Sequence, residues 1–365
     1  MKTIQAEGDF HTVGFRIGEA TSDDIRYQET HLIPDILQDA FGGDELAMRR
    51  TARRQHESTA EFWPEACAFL EGMARGAGMR LDALLPIAYC EEIAALPSSD
   101  AMHEKCSTLV VRSENGWVLG HQEDYLPSFY GRLKIYDLRI DGYPRMVSLN
   151  YPGTFPGVAG SLNAAGIATS NNSLWPVSGP GIAKQVRHFR ATLTDTFLEA
   201  IACLAYPPHA LTDHFTVIGG REDVAASLEV TGHPGALTPG MVLEIVHDRP
   251  EDESSVAAPF WHANHVRWLE PWASGTVPDP ANRSSAMRAR ALQDICKTGA
   301  PTTVEDLAAF LTRRDGILNR DAEFDLTDAH SSVTLATTVI APSQGEIRFY
   351  RYGIGASPRE DRFML

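Results

Sequence analysis

The stretch from Met102 to Tyr125, MHEKCSTLVVRSENGWVLGHQEDY, marks where the pattern of the chain changes. Before it, apolar residues recur at helical spacing; after it come short β-type runs broken by glycine turns. Cys106 stands at the entrance of the first such run, behind the charged lead-in His103-Glu104-Lys105. A buried structural cysteine normally lies inside an apolar run, so this placement calls for a chemical reading. Asn115-Gly116 is a two-residue hairpin signal. A loop of Asn115-Gly116 sets Cys106 opposite position 125, and a loop of Glu114-Asn115 sets it opposite position 123. Either register brings Asp124 within one step of the thiol, where facing Cβ atoms are about 5 Å apart. A thiol beside a carboxylate is a plausible catalytic pair; a polar hairpin end with a fortuitous cysteine is the bland alternative.

A thiol needs a base to become a nucleophile. His103, His121, His262, His265 and His330 are candidates by residue type. A second route suits the position of Cys106 better. Cleavage of the Lys105–Cys106 bond would give Cys106 a free α-amine, with a reference pKa of about 8, able to act as base for its own side chain. Asp124 would then hold or orient that amine.

Working outward, residues 3–18 read as a short strand or loop around Gly8 and Gly14, and residues 22–95 as helical. The runs STLVV, GWVLG, LKIYDLRI, RMVSLN, GVAGSLN and GIATSNN follow as strands. A helix is expected over RHFRATLTDTFLEAIACLAY, with Phe189, Leu193, Phe197, Ile201 and Leu204 on one face. Strands return in HFTVIGG, AASLEVTG and MVLEIVHD, then helices near 281–297 and 303–313, and a closing hairpin from SSVTLATTVIAP and EIRFYRYG. Strands, then helices, then strands indicate an α+β protein, not alternating βαβ units. Two antiparallel sheets with helices outside satisfy the order, and the N-terminal helical block reads as a candidate subdomain.

Composition narrows the function. The chain has 365 residues, 32 basic against 48 acidic, and a net charge of −16. That balance disfavours nucleic acid and anionic membranes as partners. No apolar run approaches the ~20 residues of a membrane span, and the N-terminus lacks a signal-peptide core, so a cytoplasmic location is expected. Five cysteines are too few and scattered for a disulfide framework. Cys67, Cys90, Cys203 and Cys296 read as core packing, and no CxxC pair is present.

Several pieces together resemble the acyl-CoA:isopenicillin-N (6-aminopenicillanic acid) acyltransferase family of N-terminal-nucleophile cysteine hydrolases, and more distantly bile-salt hydrolases and acid ceramidases. GFRIGEA is similar to the family's glycine-containing start, and FLEGMARGAGMRLDALLPIAYCEEI to its helical segment before the nucleophile. The run from Cys106 to Tyr125, with Asp124 18 residues after the cysteine, resembles the nucleophile strand. PGVAGSLNAAGIATSNNSL looks like the paired-strand Gly-Asn segment, and WHANHV like the His-x-Asn-His element. The resemblance implies a four-layer αββα sandwich made as one precursor, with residues 1–105 an N-terminal, mostly helical segment and 106–365 the catalytic core after self-cleavage between Lys105 and Cys106. It implies Cys106 as nucleophile, Asp124 on the new amine, the Asn264 side chain as oxyanion donor and Asn163 as a backbone donor. Lys105 departs from the small residue often found before the nucleophile, and the Ser-Arg pair of some members has no counterpart at Ser331-Ser332.

The implied activity is that of a self-processing amidohydrolase or N-acyltransferase, acting on a small acylated amine or amino-acid derivative through a Cys106 thioester. Alternatives are a penicillin-type transferase using an acyl-coenzyme A, and an unprocessed binding scaffold. No cofactor is expected. His262 and His265 could ligate a metal, but no third ligand stands out, so no metal is expected either. Tyr151, Asn171, Asn172 and His265 are pocket candidates; the bland readings are a self-packed loop aromatic and Asx turns at a strand end. Arg49, Arg50, Arg53 and Arg54 read as a solvated helix face, with a homo-oligomer contact or a substrate phosphate as the other readings.

Overall fold

The computed structural model describes residues 1–94, 106–174, 181–232, 241–247, 259–267, 269, 283–313, 333–353 and 356–365. His103, Lys105, His330, Ser331 and Ser332 lie outside the described residues. Strand β1 (Lys2–Gly8) precedes helices α1 (Phe10–His31), α2 (Ile33–Phe41), α3 (Glu45–Phe62), α4 (Pro64–Gly76), α5 (Leu81–Ala88) and α6 (Cys90–Ala94). Then come β2 (Ser107–Ser113), β3 (Gly116–Tyr125), β4 (Lys134–Ile140), β5 (Met146–Asn150), β6 (Ser161–Asn163) and β7 (Ile167–Ser173). Helices α7 (Lys184–Ala191) and α8 (Phe197–Ala205) lead into β8 (Asp213–Gly219), β9 (Val224–Val230), β10 (Met241–His247) and β11 (Phe260–His262). The chain continues through α9 (Arg283–Thr298), α10 (Val304–Leu311), β12 (Val333–Ala341), β13 (Glu346–Gly353) and β14 (Ala356–Met364).

These strands form two sheets, ordered β1-β4-β5-β6-β7-β8-β9-β10 and β11-β2-β3-β12-β13-β14. Only the β1–β4 pairing is parallel among the described strands. Side-chain alternation sorts each strand into two faces. On β3, Trp117, Leu119 and Tyr125 enter the central core, while Val118 faces Leu307 and Leu311 of α10. On β8, Phe215 and Val217 pack under Phe197, Ile201 and Leu204 of α8, while Ile218 points to the centre. Helices therefore cover the outer face of both sheets, and the fold is the αββα sandwich. No helix among the described residues is long and apolar enough to cross a membrane.

The N-terminal block differs from the sequence reading. The helix begins at Phe10, with Asp9 Oδ1 accepting from Thr12 N at 2.7 Å as its cap. Gly14 is thus not in a loop but inside α1. A Cβ there would lie 2.0 Å from Phe69 O, and one at Gly18 would lie 2.1 Å from Met73 O. These glycines, with Gly72 and Gly76 facing them from α4, let two helix backbones meet directly. Strand β1 joins the eight-stranded sheet, so the block shares the central core.

Other boundaries also moved. The single helix expected over 187–206 is two, because Thr196 and Glu199 form a capping box that starts α8. The helical run from Leu81 breaks at Tyr89. Strand β14 escaped reading because ASPREDRFM is charged and contains proline, which suits a sheet edge.

Gly18→Ala tests the helix contact. On a free helix surface the change would stabilise by up to about 1 kcal/mol. Here it should destabilise by roughly 1–3 kcal/mol, the usual effect of overpacking. A melting temperature at or above wild type would show that the α1–α4 contact is not close-packed.

Candidate active site

The β2–β3 ladder pairs Ser113 with Gly116 and Ser107 with Gln122. The two-residue loop is therefore Glu114-Asn115, and the next step along the ladder sets Cys106 opposite Glu123. Cys106 is 1% exposed, and its thiol lies 3.7 Å from Glu123 Oε2. Glu123 is held on both sides. Tyr151 donates its hydroxyl to Oε1 at 2.6 Å, and His121 Nε2 lies 2.9 Å from Oε2. Alternation puts Cys106, His121 and Glu123 on the inner face of their sheet.

A polar chain runs from here across to the other sheet. His121 Nδ1 meets Thr108 Oγ1 at 2.9 Å, and Thr108 donates to Asn172 Oδ1 on β7 at 2.7 Å. Asn172 Oδ1 lies 3.2 Å from His214 Nδ1, whose Nε2 is 2.7 Å from Ser227 Oγ. The His214 ring stacks on His262 at 3.6 Å, and His262 Nε2 reaches Glu229 Oε1 at 2.7 Å. Burial keeps the His214 imidazole well below its ordinary pKa, with the neighbouring His262, Arg267 and His121 acting in the same direction.

Arg288 closes the other side. It is fully buried and reaches in from α9. Its guanidinium donates to the Cys106 carbonyl oxygen, to Ser107 Oγ at 2.9 Å and to Asn264 Oδ1 at 2.8 Å. Asn264 in turn donates Nδ2 to Ser173 O at 2.8 Å and its backbone N–H to Ser285 Oγ at 2.8 Å. Beyond Ser173 lies a buried charged group. Lys184 pairs with Glu91 and stands 3.9 Å from Asp213 Oδ1. Burial raises Asp213 to about 7 and Glu92 to about 8.

Of the residues expected from sequence, Cys106, Tyr151, His121 and Asn264 come together. Asp124 is buried, but alternation puts its side chain on the outer face of β3, opposite to Glu123. Asn163 is committed to the turn between β6 and β7: Nδ2 donates to Thr192 O and Thr194 O, and Oδ1 accepts from Ala165 N and Ile167 N. Asn171 donates to His214 O at 2.9 Å, and its neighbour Asn172 joins the chain to Thr108. His265 Nδ1 lies 2.8 Å from Ser285 Oγ, and burial, aided by His262 and Arg288, holds its imidazole down to about 4. Glu123 and Arg288 were missed. Glu123 left a signal, since it sits at position 123 of one of the two registers; Arg288, on the buried face of α9 with Ser285, Ala289 and Leu292, did not.

A thiol at the start of a strand, carboxylate and imidazole beside it, and an amide fixed by a buried guanidinium make a set suited to acyl transfer through sulfur. Residues 111–351 match the family described as acyl-coenzyme A:6-aminopenicillanic acid acyl-transferase. The chain belongs to that family. The match begins five residues after Cys106 and covers more than half of the chain. Membership makes the protein an enzyme of the acyltransferase or hydrolase kind. No curated protein matches it. Among solved structures, it is similar to a mutant of the conjugated bile acid hydrolase from Clostridium perfringens, at TM-score 0.41 and 9% identity over 71% of this chain and 92% of that one. A second variant of the same hydrolase gives TM-score 0.39 and 10% identity over the same shares, 71% and 92%.

Site-resolved alkylation separates the cysteines of this family member. Burial pushes the Cys67 thiol up to about 11, helped by Glu71, and burial also pushes Cys296 to about 11. Both should stay protonated and react slowly with iodoacetamide from pH 6 to 9. His265→Gln should leave the pH profile of Cys106 alkylation unmoved, because an imidazole held at about 4 is already neutral throughout that range. A displaced Cys106 profile in that variant would make His265 a titrating partner of the thiol.

Proposed function

We propose that the protein is a self-processing cysteine amidohydrolase that cleaves the amide bond of a small acylated amine or amino-acid derivative through a Cys106 thioester. The observation that carries the reading is the buried Cys106 thiol with Glu123 Oε2 at 3.7 Å on its inner side and its own carbonyl bound by Arg288.

Two bases serve two events. Before cleavage no α-amine exists, so the first deprotonation falls to Glu123, with His121 behind it. The thiolate adds to the Lys105 carbonyl carbon, the bond to the Cys106 nitrogen breaks, and that nitrogen takes the proton. Water then hydrolyses the resulting thioester, leaving a Lys105 carboxylate and a free Cys106 thiol and amine. In turnover the amine takes the thiol proton. The thiolate attacks the substrate carbonyl, the leaving amine departs with the proton, and water completes hydrolysis. Asn264, oriented by Arg288, donates to the oxyanion that forms in each addition. Coenzyme A or an amine in place of water would turn the same thioester to acyl transfer.

Intact-mass measurement should find fragments 1–105 and 106–365, and Cys106→Ala should remain one chain. Glu123→Gln should slow the cut by about 10²–10⁴-fold, the usual contribution of a general base. A wild-type chain that stays whole yet hydrolyses N-acyl amino acids would remove the amine mechanism. Asn264→Asp retains the acceptor that Arg288 needs and removes the donor. It should lower kcat by about 10²–10³-fold with melting temperature little changed; near-normal turnover would make Asn264 a scaffold residue only.

A further inference from the structure

We propose that Cys106, His121 and Glu123 form a binding site for one zinc-class divalent ion, and that the bound ion blocks the thiol. The three residues are buried on one sheet face, and one donor atom from each lies within 4.8 Å of the other two. Zinc bonds of about 2.3 Å to sulfur and 2.0 Å to nitrogen or oxygen place tetrahedral donors roughly 3.3–3.5 Å apart. The thiol-to-Oε2 separation is 3.7 Å and the Nε2-to-Oε2 separation is 2.9 Å. Small rotamer adjustments about a central ion therefore complete the geometry. One sulfur, one imidazole and one carboxylate suit Zn²⁺ or Co²⁺ and disfavour Mg²⁺ and Ca²⁺, which want oxygen alone.

The outer contacts also fit. Metal-ligating histidines hand their second nitrogen to a fixed partner, and His121 Nδ1 meets Thr108 Oγ1 at 2.9 Å. With the Asn172 amide oxygen turned to Thr108, the Thr108 hydroxyl proton is used there, so Thr108 accepts from His121 Nδ1–H. His121 Nε2 then faces Glu123 Oε2 at 2.9 Å, a separation at which a proton or a metal ion sits between the two atoms. Tyr151 holds the other carboxylate oxygen at 2.6 Å and fixes its orientation. On binding, the sulfur–hydrogen bond is replaced by a sulfur–metal bond, and the thiol proton and the proton between His121 Nε2 and Glu123 Oε2 are both released to solvent. The ion occupies the lone pair that a nucleophile would use.

The inference goes beyond the proposed activity, and its test reads binding alone. Full-length protein stripped with EDTA is titrated with Co²⁺. One equivalent should produce a near-ultraviolet thiolate-to-cobalt absorption and tetrahedral visible bands, and Zn²⁺ should displace them. Cys106→Ser should abolish the near-ultraviolet band, and His121→Ala and Glu123→Gln should each weaken binding at least about 100-fold. Tyr151→Phe should weaken it about 10–100-fold, as loss of a supporting contact does. Wild-type protein gives a check that needs no variant: Zn²⁺ should protect Cys106, but not Cys67 or Cys296, from alkylation, and EDTA should restore reaction. No binding, binding without a thiolate band, or alkylation of Cys106 at an unchanged rate with Zn²⁺ bound would each overturn the proposal.

Discussion

The register of the β2–β3 hairpin governs the site more than any single side chain does. A slip by one residue would exchange the two faces of β3. Gln122 and Asp124 would then point to the inter-sheet layer, and His121 and Glu123 to the helices. The register is fixed from both faces at once. Trp117, Leu119 and Tyr125 need the central core, and Val118 needs the apolar layer under α9 and α10. Gly120 adds to this: a Cβ there would come 2.3 Å from Leu311 Cδ1, so a larger residue would push the leucine side chains of α10 away from the strand. The loop is then Glu114-Asn115, and Gly116 takes the positive φ of 114° that closes it. Side chains up to ten residues away thus decide which carboxylate meets the thiol.

Arg288 ties this hairpin end to two other pieces of chain. It reaches the Cys106 carbonyl, Ser107 and Asn264, so β2, the segment after β11 and α9 share one buried cation. Buried guanidinium is costly unless its donors are met, and here neutral oxygens meet them. The arrangement keeps positive charge beside the Cys106 carbonyl. Such a cation stabilises negative charge that develops during reaction more than it stabilises a neutral ground state.

The sandwich was readable from the order of strand and helix runs, and so was the place of Cys106 just ahead of a strand. The helix break at Thr196 was hidden because apolar periodicity continues across it through Leu193 and Phe197. Gly14 and Gly18 read as a loop because glycine weakens helix propensity, and only the facing glycines of α4 explain their use. The partner of the thiol was half-readable: hairpin chemistry left two registers, and apolar counting on β3 could have chosen between them. Asn163 illustrates the opposite problem. An asparagine before Ala-Ala-Gly was read for its backbone N–H, and its side-chain amide turns out to serve a turn and the carbonyls after α7. Arg288 needed tertiary information, since its ligands come from residues 106, 107 and 264.

The layer between the sheets shows why so many polar groups are tolerated near Cys106. Over most of its area that layer is apolar, with Val110, Leu119, Ala168 and Ile218 contributing. Toward the site it turns into hydroxyl, amide, imidazole and carboxylate groups on Thr108, His121, Glu123, Asn172, His214, Ser227, Glu229 and His262, each at most 1% exposed. Leaving one such group unpaired costs about 1–3 kcal/mol, so the chain places them as a connected series in which each side chain meets another. Linked groups in a low-dielectric layer polarise one another and hold fixed directions. The reaction proposed for Cys106 would gain from this, because its neighbours need not reorganise as charge moves onto and off the sulfur. Apolar packing in the central core and under the outer helices supplies stability, and the inner polar end is held in shape by it.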